Sequence, residues 1–406
     1  MRELQKQIHE QVIRRLDLSR EMSDAELKDL IREEICLAGR MRYLSIAQRV
    51  ELERKVFASL RKLDVLEDLL EDEEITEIMI NGPDQIFIEK RGRLEETDLS
   101  FISGEKLNDV IQKIAGENNK IVNASHPIID TKLSDGSRVN IVLPPIAVDH
   151  SVITIRKFPQ SGITMQKLLE WNSLSEELVD FIATVVRAGY NIFVSGGTGS
   201  GKTTFLNAMA EFIPEGERVI TIEDSAELQL RGVNNLVRLE VREATMEGKL
   251  EVTIRDLVRT SLRMRPDRII VGECRGEEAL EMLQAFNTGH DGSFSTGHAN
   301  SARDMMARLE TMVLMAGEMS LATVRSQIAS GVDLIIHLGR LRDRSRKVLE
   351  IVEVTGMNRG ELCLDTLYEF VEDTEGRKVE GHWERKHLLK DQRKLERAGL
   401  ALKERS

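Results

Sequence analysis

The chain has 406 residues, of which 41% are hydrophobic and 31% charged, values typical of a globular intracellular protein with two or three domains. Its formal net charge of −12 gives no global electrostatic support for unspecific binding to a nucleic-acid backbone. Three cysteines without a C-x-x-C pair, no apolar run near the roughly 18 residues of a membrane span and no signal-peptide core predict a cytosolic protein without a zinc module.

The first segment, residues 1–62, has the pattern of helices. Ser23 and Glu26 have the spacing of a capping box, and four apolar residues after them recur at helical spacing. We predict a small solvated helical bundle for this segment. A docking module for a partner protein is the alternative, and no residue of the segment decides between the two.

Residues 63–157 change to short apolar runs separated by turn residues, which predicts a mixed α/β domain. The predicted elements are strands at 75–80, 85–89, 139–143 and 151–155, and a helix at 104–117. Two arginines, Arg138 and Arg156, stand beside the last two strands. Residues 158–174 follow as a linker with one short helix, and such a connection between two compact domains is a natural hinge.

From residue 175 to about residue 370, predicted strands and helices alternate. This alternation favours a mainly parallel sheet that is covered by helices on both faces. The remainder, residues 371–406, is polar and rich in both charge signs. We expect a solvated tail there, with a last helix near residues 384–398.

A glycine-rich loop follows an apolar strand in the segment NIFVSGGTGSGKTT, residues 191–204. Glycines let the backbone N–H groups come close to an anion, and the helix that begins after the loop favours negative charge at its N-terminus. Lys202 can reach β- and γ-phosphates, and the Thr203 hydroxyl is a ligand for Mg²⁺. The pattern therefore predicts a site for ATP and Mg²⁺, against the alternative of a glycine-rich turn with a solvated lysine. The predicted nucleotide-binding residues are Gly197, Thr198, Gly199, Ser200, Gly201, Lys202, Thr203 and Thr204.

An acidic pair, Glu223 and Asp224, follows the apolar strand at residues 219–222. Strands of a parallel sheet end at its carboxyl edge, where ligands bind in such folds. A carboxylate at this edge can orient and activate the water that attacks a γ-phosphate. The alternative is an acid that only caps the following loop.

A second buried strand, residues 269–271, is followed by Gly272 and Glu273. This segment resembles a Walker B sequence in which the usual terminal aspartate is replaced by glycine and displaced to Glu273. A glutamate at this place can hold Mg²⁺ directly or through water. The next residue, Cys274, is expected to be a small buried side chain rather than a reactive thiol.

Two histidines lie among glycines and hydroxyl residues in the segment NTGHDGSFSTGHAN, residues 287–300. His290 and His298 could suggest zinc, but the sequence offers no third ligand at a metal-site spacing. We expect polar contacts with phosphates or with the next domain, because histidine and hydroxyl side chains supply hydrogen-bond donors.

These four clusters resemble the Walker A, Asp box, Walker B and His box of the secretion-ATPase superfamily. Within it, the chain is similar to the CpaF/TadA-type motors of tight-adherence (Tad/Flp) pilus assembly, from about residue 66 to about residue 370. The matching stretches include TEIMINGPDQIFIEKRG, DGSRVNIVLPPIA, TIEDSAELQL and RPDRIIVGECRG. Glycine at the Walker B position is itself typical of this superfamily.

The resemblance implies a RecA-like P-loop domain over residues 175–370 with a mainly parallel sheet, preceded by a smaller α/β (PAS-like) domain. It also implies a homo-hexameric ring at the inner face of the cytoplasmic membrane, where ATP hydrolysis drives an inner-membrane platform protein. The family's catalytic residues carry over to Arg138, Arg156, Glu223, Glu273 and His298. Its metal ligands carry over to Thr203 and Glu273.

Other functions stay open. Within the superfamily, a conjugation or type IV secretion ATPase is an alternative, whereas a type II secretion motor typically has a tetracysteine metal module that this chain lacks. A non-hydrolysing ATP-binding scaffold is disfavoured because both Glu223 and Glu273 are present. A DNA-translocating motor is disfavoured by the net charge of −12 and by the absence of a basic aromatic groove.

Overall fold

The structure, a computed structural model, describes residues 2–16, 22–39, 43–158, 162–242, 251–373 and 376–402. The chain divides into two compact units, Met1–Gln160 and Ser161–Ser406. Among the helices of the described residues, none is both long enough and apolar enough to cross a membrane.

The first unit begins with three helices, which are α1 Arg2–Arg15, α2 Asp24–Gly39 and α3 Ile46–Arg61. Their apolar faces pack together around Leu27, Ile31 and Val56, which are almost fully buried. The predicted capping box is confirmed. The Ser23 backbone N–H donates to the Glu26 carboxylate at 2.9 Å, and the Glu26 N–H donates to the Ser23 hydroxyl at 3.3 Å.

The rest of the first unit is a six-stranded antiparallel sheet that shares one hydrophobic core with two helices. Its strands are β1 Ile75–Asn81, β2 Ile86–Lys90, β3 Arg93–Glu96, β4 Ile128–Lys132, β5 Arg138–Val142 and β6 Val152–Arg156. They lie in the order β3-β2-β1-β6-β5-β4. A short helix, α4 Leu66–Glu71, precedes β1, and α5 Gly104–Glu117 covers the sheet. The sequence does not predict β3 and β4, because β3 is exposed throughout and β4 has a single buried residue.

The second unit is built on a nine-stranded sheet. Its strands are β7 Ile192–Gly196, β8 Arg218–Glu223, β9 Asn235–Glu240, β10 Arg268–Val271, β11 Phe294–Gly297, β12 Leu334–Arg340, β13 Arg346–Asn358, β14 Glu361–Glu372 and β15 Gly381–Arg385. Their order is β15-β14-β13-β12-β7-β11-β10-β8-β9. The six strands from β12 to β9 in this order are parallel, and β13, β14 and β15 add to them antiparallel.

Helices cover both faces of this sheet, as the sequence predicts. They are α6 Met165–Glu170, α7 Glu176–Arg187, α8 Lys202–Met209 with a 3-10 turn Ala210–Phe212, α9 Ile254–Ser261, α10 Glu278–Asn287, α11 Ala302–Met315, α12 Leu321–Gly331 and α13 Arg393–Ala398. Successive residues of β7 enter opposite cores: Val194 packs with α7 and α8, and Phe193 packs with α10, α11 and α12. A strand buried on both faces reads as a continuous apolar run, which is why β7 is predictable.

The C-terminal part differs from the prediction. Alternation of strands and helices stops at β12, and four successive strands carry the sheet to residue 385. The predicted helix at 384–398 is wrong at its start, because it begins only at Arg393. The segment is held rather than solvated: the Trp383 indole N–H donates to the Val348 carbonyl at 2.7 Å, and Leu389 and Leu395 are buried in the core.

Candidate functional site

The glycine-rich loop leads from the end of β7 into α8, as the sequence predicts. Gly199 and Gly201 have φ angles of +72° and +95°, a region that residues with a Cβ rarely adopt. Gly201 is the residue before the first turn of α8, so the loop delivers its backbone N–H groups to a helix N-terminus. This is the geometry of an anion-binding site.

Lys202 is buried beneath this loop. Its ammonium group donates to the carbonyl oxygens of Gly196 and Gly197, both at 3.1 Å, and lies 3.4 Å from Nδ1 of His298. Burial lowers the pKa of Lys202, while the charge of Glu273 acts against this shift. The Lys202 ammonium is therefore held against the loop and does not extend into solvent.

Glu223, the last residue of β8, is almost fully buried. Its Oε2 accepts hydrogen bonds from the backbone N–H groups of Glu227 and Leu228, at 2.7 and 2.8 Å. Its Oε1 has no hydrogen-bond partner among the described residues. Burial raises the pKa of Glu223 to about 6, against the opposing effect of the two backbone hydrogen bonds. One oxygen is anchored and the other is left for a further donor.

The packing around Gly272 accounts for a glycine at the place where a Walker B sequence usually has aspartate. Gly272 follows β10, and its backbone N–H donates to the Ile222 carbonyl of the adjacent strand β8 at 2.8 Å. A Cβ at this position would lie 2.9 Å from Cγ of Glu223, which is closer than real Cβ contacts allow. An aspartate there would displace the Glu223 side chain, so the position is restricted to glycine.

Glu273 belongs to a series of charged side chains that begins next to the glycine-rich loop. Its carboxylate lies 3.0 Å from Nε2 of His298 and accepts a 2.7 Å hydrogen bond from Arg275, which in turn lies 3.6 Å from Asp224. Burial alone would raise the pKa of Glu273, but the hydrogen bond from Arg275 and the nearby positive charges lower it. The carboxylate therefore stays ionised. Arg275 is a residue of this chain that sequence reasoning missed, although it stands two positions after the predicted acid.

The two histidines are separated by β11. His298 follows this strand and reaches Lys202 and Glu273, and burial together with the charge of Lys202 lowers its pKa. His290 precedes β11, and its Nδ1 lies 3.2 Å from the Ala285 carbonyl near the end of α10. Within the part of the chain that the structure describes, no group of three or more His, Cys, Asp or Glu side chains could hold a metal ion.

A cleft of about 460 Å³ opens beside the loop. Its lining residues are Gly197, Thr198, His298, Ala299, Asn300, Asp304, Ala307 and Arg308. The walls are thus the glycine-rich loop, the end of β11 and the first turns of α11. The polar side chains in this lining are those of Thr198, His298, Asn300, Asp304 and Arg308.

The two predicted arginines lie in the first unit, on the adjacent strands β5 and β6. Arg138 and Arg156 are directly opposite in the antiparallel register, and Lys132 of β4 is opposite Arg138 on its other side. Residues that are directly opposite point to the same face, and like charges in such positions repel. Lys132, Arg138 and Arg156 thus form a row of three cations, and Glu77 of β1 continues the row opposite Arg156. Sequence patterns do not identify Lys132 as part of this row, because they do not predict β4.

Comparisons with known proteins find relatives that cover most of the chain. The sequence model of the type II/IV secretion system protein family matches residues 59–379. A putative conjugal transfer protein of Mycobacterium tuberculosis is 34% identical over 310 residues, which are 73% of this chain and 88% of that protein. The type IV secretion system protein PtlH of Bordetella pertussis is 31% identical over 317 residues, 71% of this chain and 93% of that protein.

The fold has known structural neighbours. The X-ray structure of the Legionella pneumophila ATPase DotB aligns with a TM-score of 0.52 and 24% sequence identity, over 71% of this chain and 79% of that chain. At this level of identity the likeness concerns the fold, and it confirms the RecA-like P-loop architecture that the sequence predicts.

Proposed function

Because the chain belongs to the type II/IV secretion system protein family, we propose that it is a motor that hydrolyses ATP to drive a secretion or pilus machine. The observation that carries the proposal is the grouping of Lys202, Glu223, Glu273 and His298 at the carboxyl edge of one parallel sheet. A structural role alone does not account for the buried Glu223 carboxylate with one unpartnered oxygen among the described residues.

Each group has a distinct role in this proposal. The N–H groups of residues 197–204 and the Lys202 ammonium bind the phosphates, and Glu223 orients the attacking water and accepts its proton. The Thr203 hydroxyl and the ionised Glu273 carboxylate are oxygen ligands of the kind that Mg²⁺ prefers, and the ion would neutralise charge on the β- and γ-phosphates. His298 lies between Lys202 and Glu273, so it can donate a hydrogen bond to a phosphate oxygen.

For the machine that is driven, we propose assembly of a tight-adherence (Tad/Flp) pilus, on the motif match from about residue 66 to about residue 370. The motor would then be a cytoplasmic homo-hexamer that acts on inner-membrane platform proteins. A conjugation or type IV secretion machine is the second candidate, because the relatives described above are named for conjugal transfer and type IV secretion.

Deletion of the gene in its own host separates these two candidates. We expect the strain to lose surface pili by electron microscopy while plasmid transfer and secretion stay normal. Loss of transfer or secretion with normal piliation would favour the second candidate. Complementation with the wild-type gene should restore the lost phenotype, and complementation with Lys202→Ala should not, because the proposed role needs hydrolysis.

The protein is expected to form hexamers, and nucleotide should favour them. In a ring of this kind each P-loop site lies at a boundary between domains, so assembly of the ring and turnover of ATP are linked. Light scattering with and without ATP over the working concentration range measures the assembly, and phosphate release from the same samples measures turnover. A fully active monomer across that range would exclude a ring mechanism.

Removing either arginine of the cation row should slow hydrolysis. The γ-phosphate gains negative charge during hydrolysis, and guanidinium groups supply charge and fork-shaped hydrogen bonds. We expect Arg138→Ala and Arg156→Ala each to lower kcat by at least about tenfold, with smaller effects on ATP binding, since comparable arginines contribute about 10³ to 10⁵ in rate.

Arg93→Ala is the matched control for this prediction. Arg93 is exposed on β3, at the opposite edge of the same sheet, and its removal changes the net charge by the same amount. Steady-state kinetics of the three variants decide the matter. An unchanged kcat in both Arg138→Ala and Arg156→Ala would remove these residues from the mechanism.

A further inference from the structure

The β12–β13 hairpin reaches the glycine-rich loop from a distant part of the sequence. β12 pairs with β7 in parallel, and Leu338 is opposite Gly196, so the end of β12 lies beside the start of the loop. The turn at residues 341–345 then reverses the chain into β13. Asp343 closes this turn by accepting hydrogen bonds from the Ser345 backbone N–H and hydroxyl, at 2.9 and 2.6 Å.

Arg346, the first residue of β13, contacts the loop directly. Its Nε donates to the Gly199 carbonyl oxygen at 2.8 Å. A Cβ placed on Gly201 would lie 3.4 Å from Cδ of Arg346, so the stem of the arginine packs against the last glycine of the loop. The side chain therefore spans the loop from Gly201 to the carbonyl of Gly199.

The contact has a consequence for the loop's donors. In a trans peptide the C=O and the N–H point in opposite directions, so a donor that holds the Gly199 carbonyl also fixes the plane of the peptide that it shares with Ser200. Gly199 has a φ of +72° and no side chain, so its own conformation restrains this plane little. A charged hydrogen bond is stronger than a neutral one, which makes arginine suited to this task.

The base of the arginine is itself anchored. The next residue, Lys347, is buried, and its ammonium group donates to the Asn172 carbonyl at 2.7 Å. The following backbone N–H, of Val348, donates to the Ser173 carbonyl at 2.9 Å. Three successive residues of β13 thus join the segment at 172–173 to the glycine-rich loop, and Arg346 starts from a rigid position.

We propose that Arg346 is a positioning residue of the phosphate loop: it holds the Gly199 carbonyl and so presets the loop's N–H groups for a nucleoside triphosphate. The proposal deepens the proposed function and rests on it, because it needs the loop to bind nucleotide. Under this proposal, Arg346 does not contact the phosphates. It acts through the shape of the loop, so it contributes to nucleotide binding in the ground state and the transition state alike.

The test compares Arg346→Ala with Arg342→Ala. Arg342 lies in the same hairpin turn, but it donates to the Gly376 carbonyl and to Glu372 instead of to the loop. Both variants remove one positive charge from the same hairpin. We expect Arg346→Ala to raise KM for ATP and Kd for ADP by about tenfold and to leave kcat at saturating ATP within about threefold, the pattern of lost uniform binding. Arg342→Ala should change neither constant by more than about twofold.

A conservative variant separates positioning from bulk structure. Arg346→Lys keeps a donor for the Gly199 carbonyl and should recover part of the lost affinity, whereas Arg346→Gln should recover less because its donor is neutral. Thermal unfolding midpoints of all variants check that the unit stays folded. Unchanged KM and Kd in Arg346→Ala, or equal losses in Arg346→Ala and Arg342→Ala, would overturn the proposal.

These outcomes are distinct from a failure of the proposed function. If the wild-type protein neither binds nor hydrolyses ATP, the nucleotide site is wrong and the role of Arg346 falls with it. If the wild-type protein hydrolyses ATP and Lys202→Ala does not, while Arg346→Ala behaves as wild type, only the positioning role is wrong.

Discussion

Lys202→Ala is expected to abolish ATP hydrolysis and to weaken ATP binding strongly. The Lys202 ammonium is held under the loop by the carbonyls of Gly196 and Gly197, so its charge is fixed where the phosphates would lie. The variant keeps the backbone donors of the loop but loses the lysine charge inside it. Removing one preorganised charge or donor from a transition state costs about 10² to 10³ in rate, and here the ground state loses it as well.

Phosphate release and nucleotide titration of the purified variant measure both effects. Lys378→Ala is a suitable control, because Lys378 is exposed, pairs only with Glu380 among the described contacts and carries the same charge. It should hydrolyse ATP at the wild-type rate. Near-normal turnover of Lys202→Ala would refute the assignment of the glycine-rich loop as the phosphate site.

Glu223→Gln is expected to bind ATP and to hydrolyse it very slowly, by at least about 10²-fold, so that ATP is trapped on the protein. The glycine-rich loop is untouched by this change. The amide oxygen of glutamine can still accept from the N–H groups of Glu227 and Leu228, so the side chain keeps its place. What is lost is the second carboxylate oxygen, which has no hydrogen-bond partner among the described residues and which the proposed mechanism uses to position and deprotonate water.

The control for this variant is Glu240→Gln. Glu240 is in register with Glu223 on the neighbouring strand β9 but is exposed, and the change from acid to amide is the same. Retention of radiolabelled ATP after gel filtration, together with single-turnover kinetics, measures trapping. If Glu223→Gln binds ATP as poorly as Lys202→Ala, Glu223 has a structural role and the base lies elsewhere.

The pH dependence gives an independent check on the base. Burial raises the pKa of Glu223 to about 6, and only the ionised form can accept a proton from water. The wild-type kcat/KM should therefore be high above pH 6 and fall as the pH drops through about 6. Glu223→Gln has no ionisable group at this position, so its residual rate should lack this inflection.

Local sequence was sufficient for the loop and for most of the elements around it. The glycine pattern before Lys202 predicts the phosphate loop, since the loop conformation depends on residues that are adjacent in the chain. The apolar run of β7 and the capping box of Ser23 and Glu26 at the start of α2 are likewise local. Charge patterns at strand ends also placed Glu223 and Glu273 at the carboxyl edge, because every parallel strand ends there.

Only the tertiary structure decided which of these groups meet, and which additional groups join them. The need for glycine at position 272 comes from the Glu223 side chain on a neighbouring strand, and Arg346 reaches Gly199 across 147 positions of sequence. The register that sets Arg138 opposite Arg156 and the packing of the C-terminal segment under β13 are of the same kind. Such contacts depend on strand order and register, which arise from the burial of whole faces and not from any local pattern.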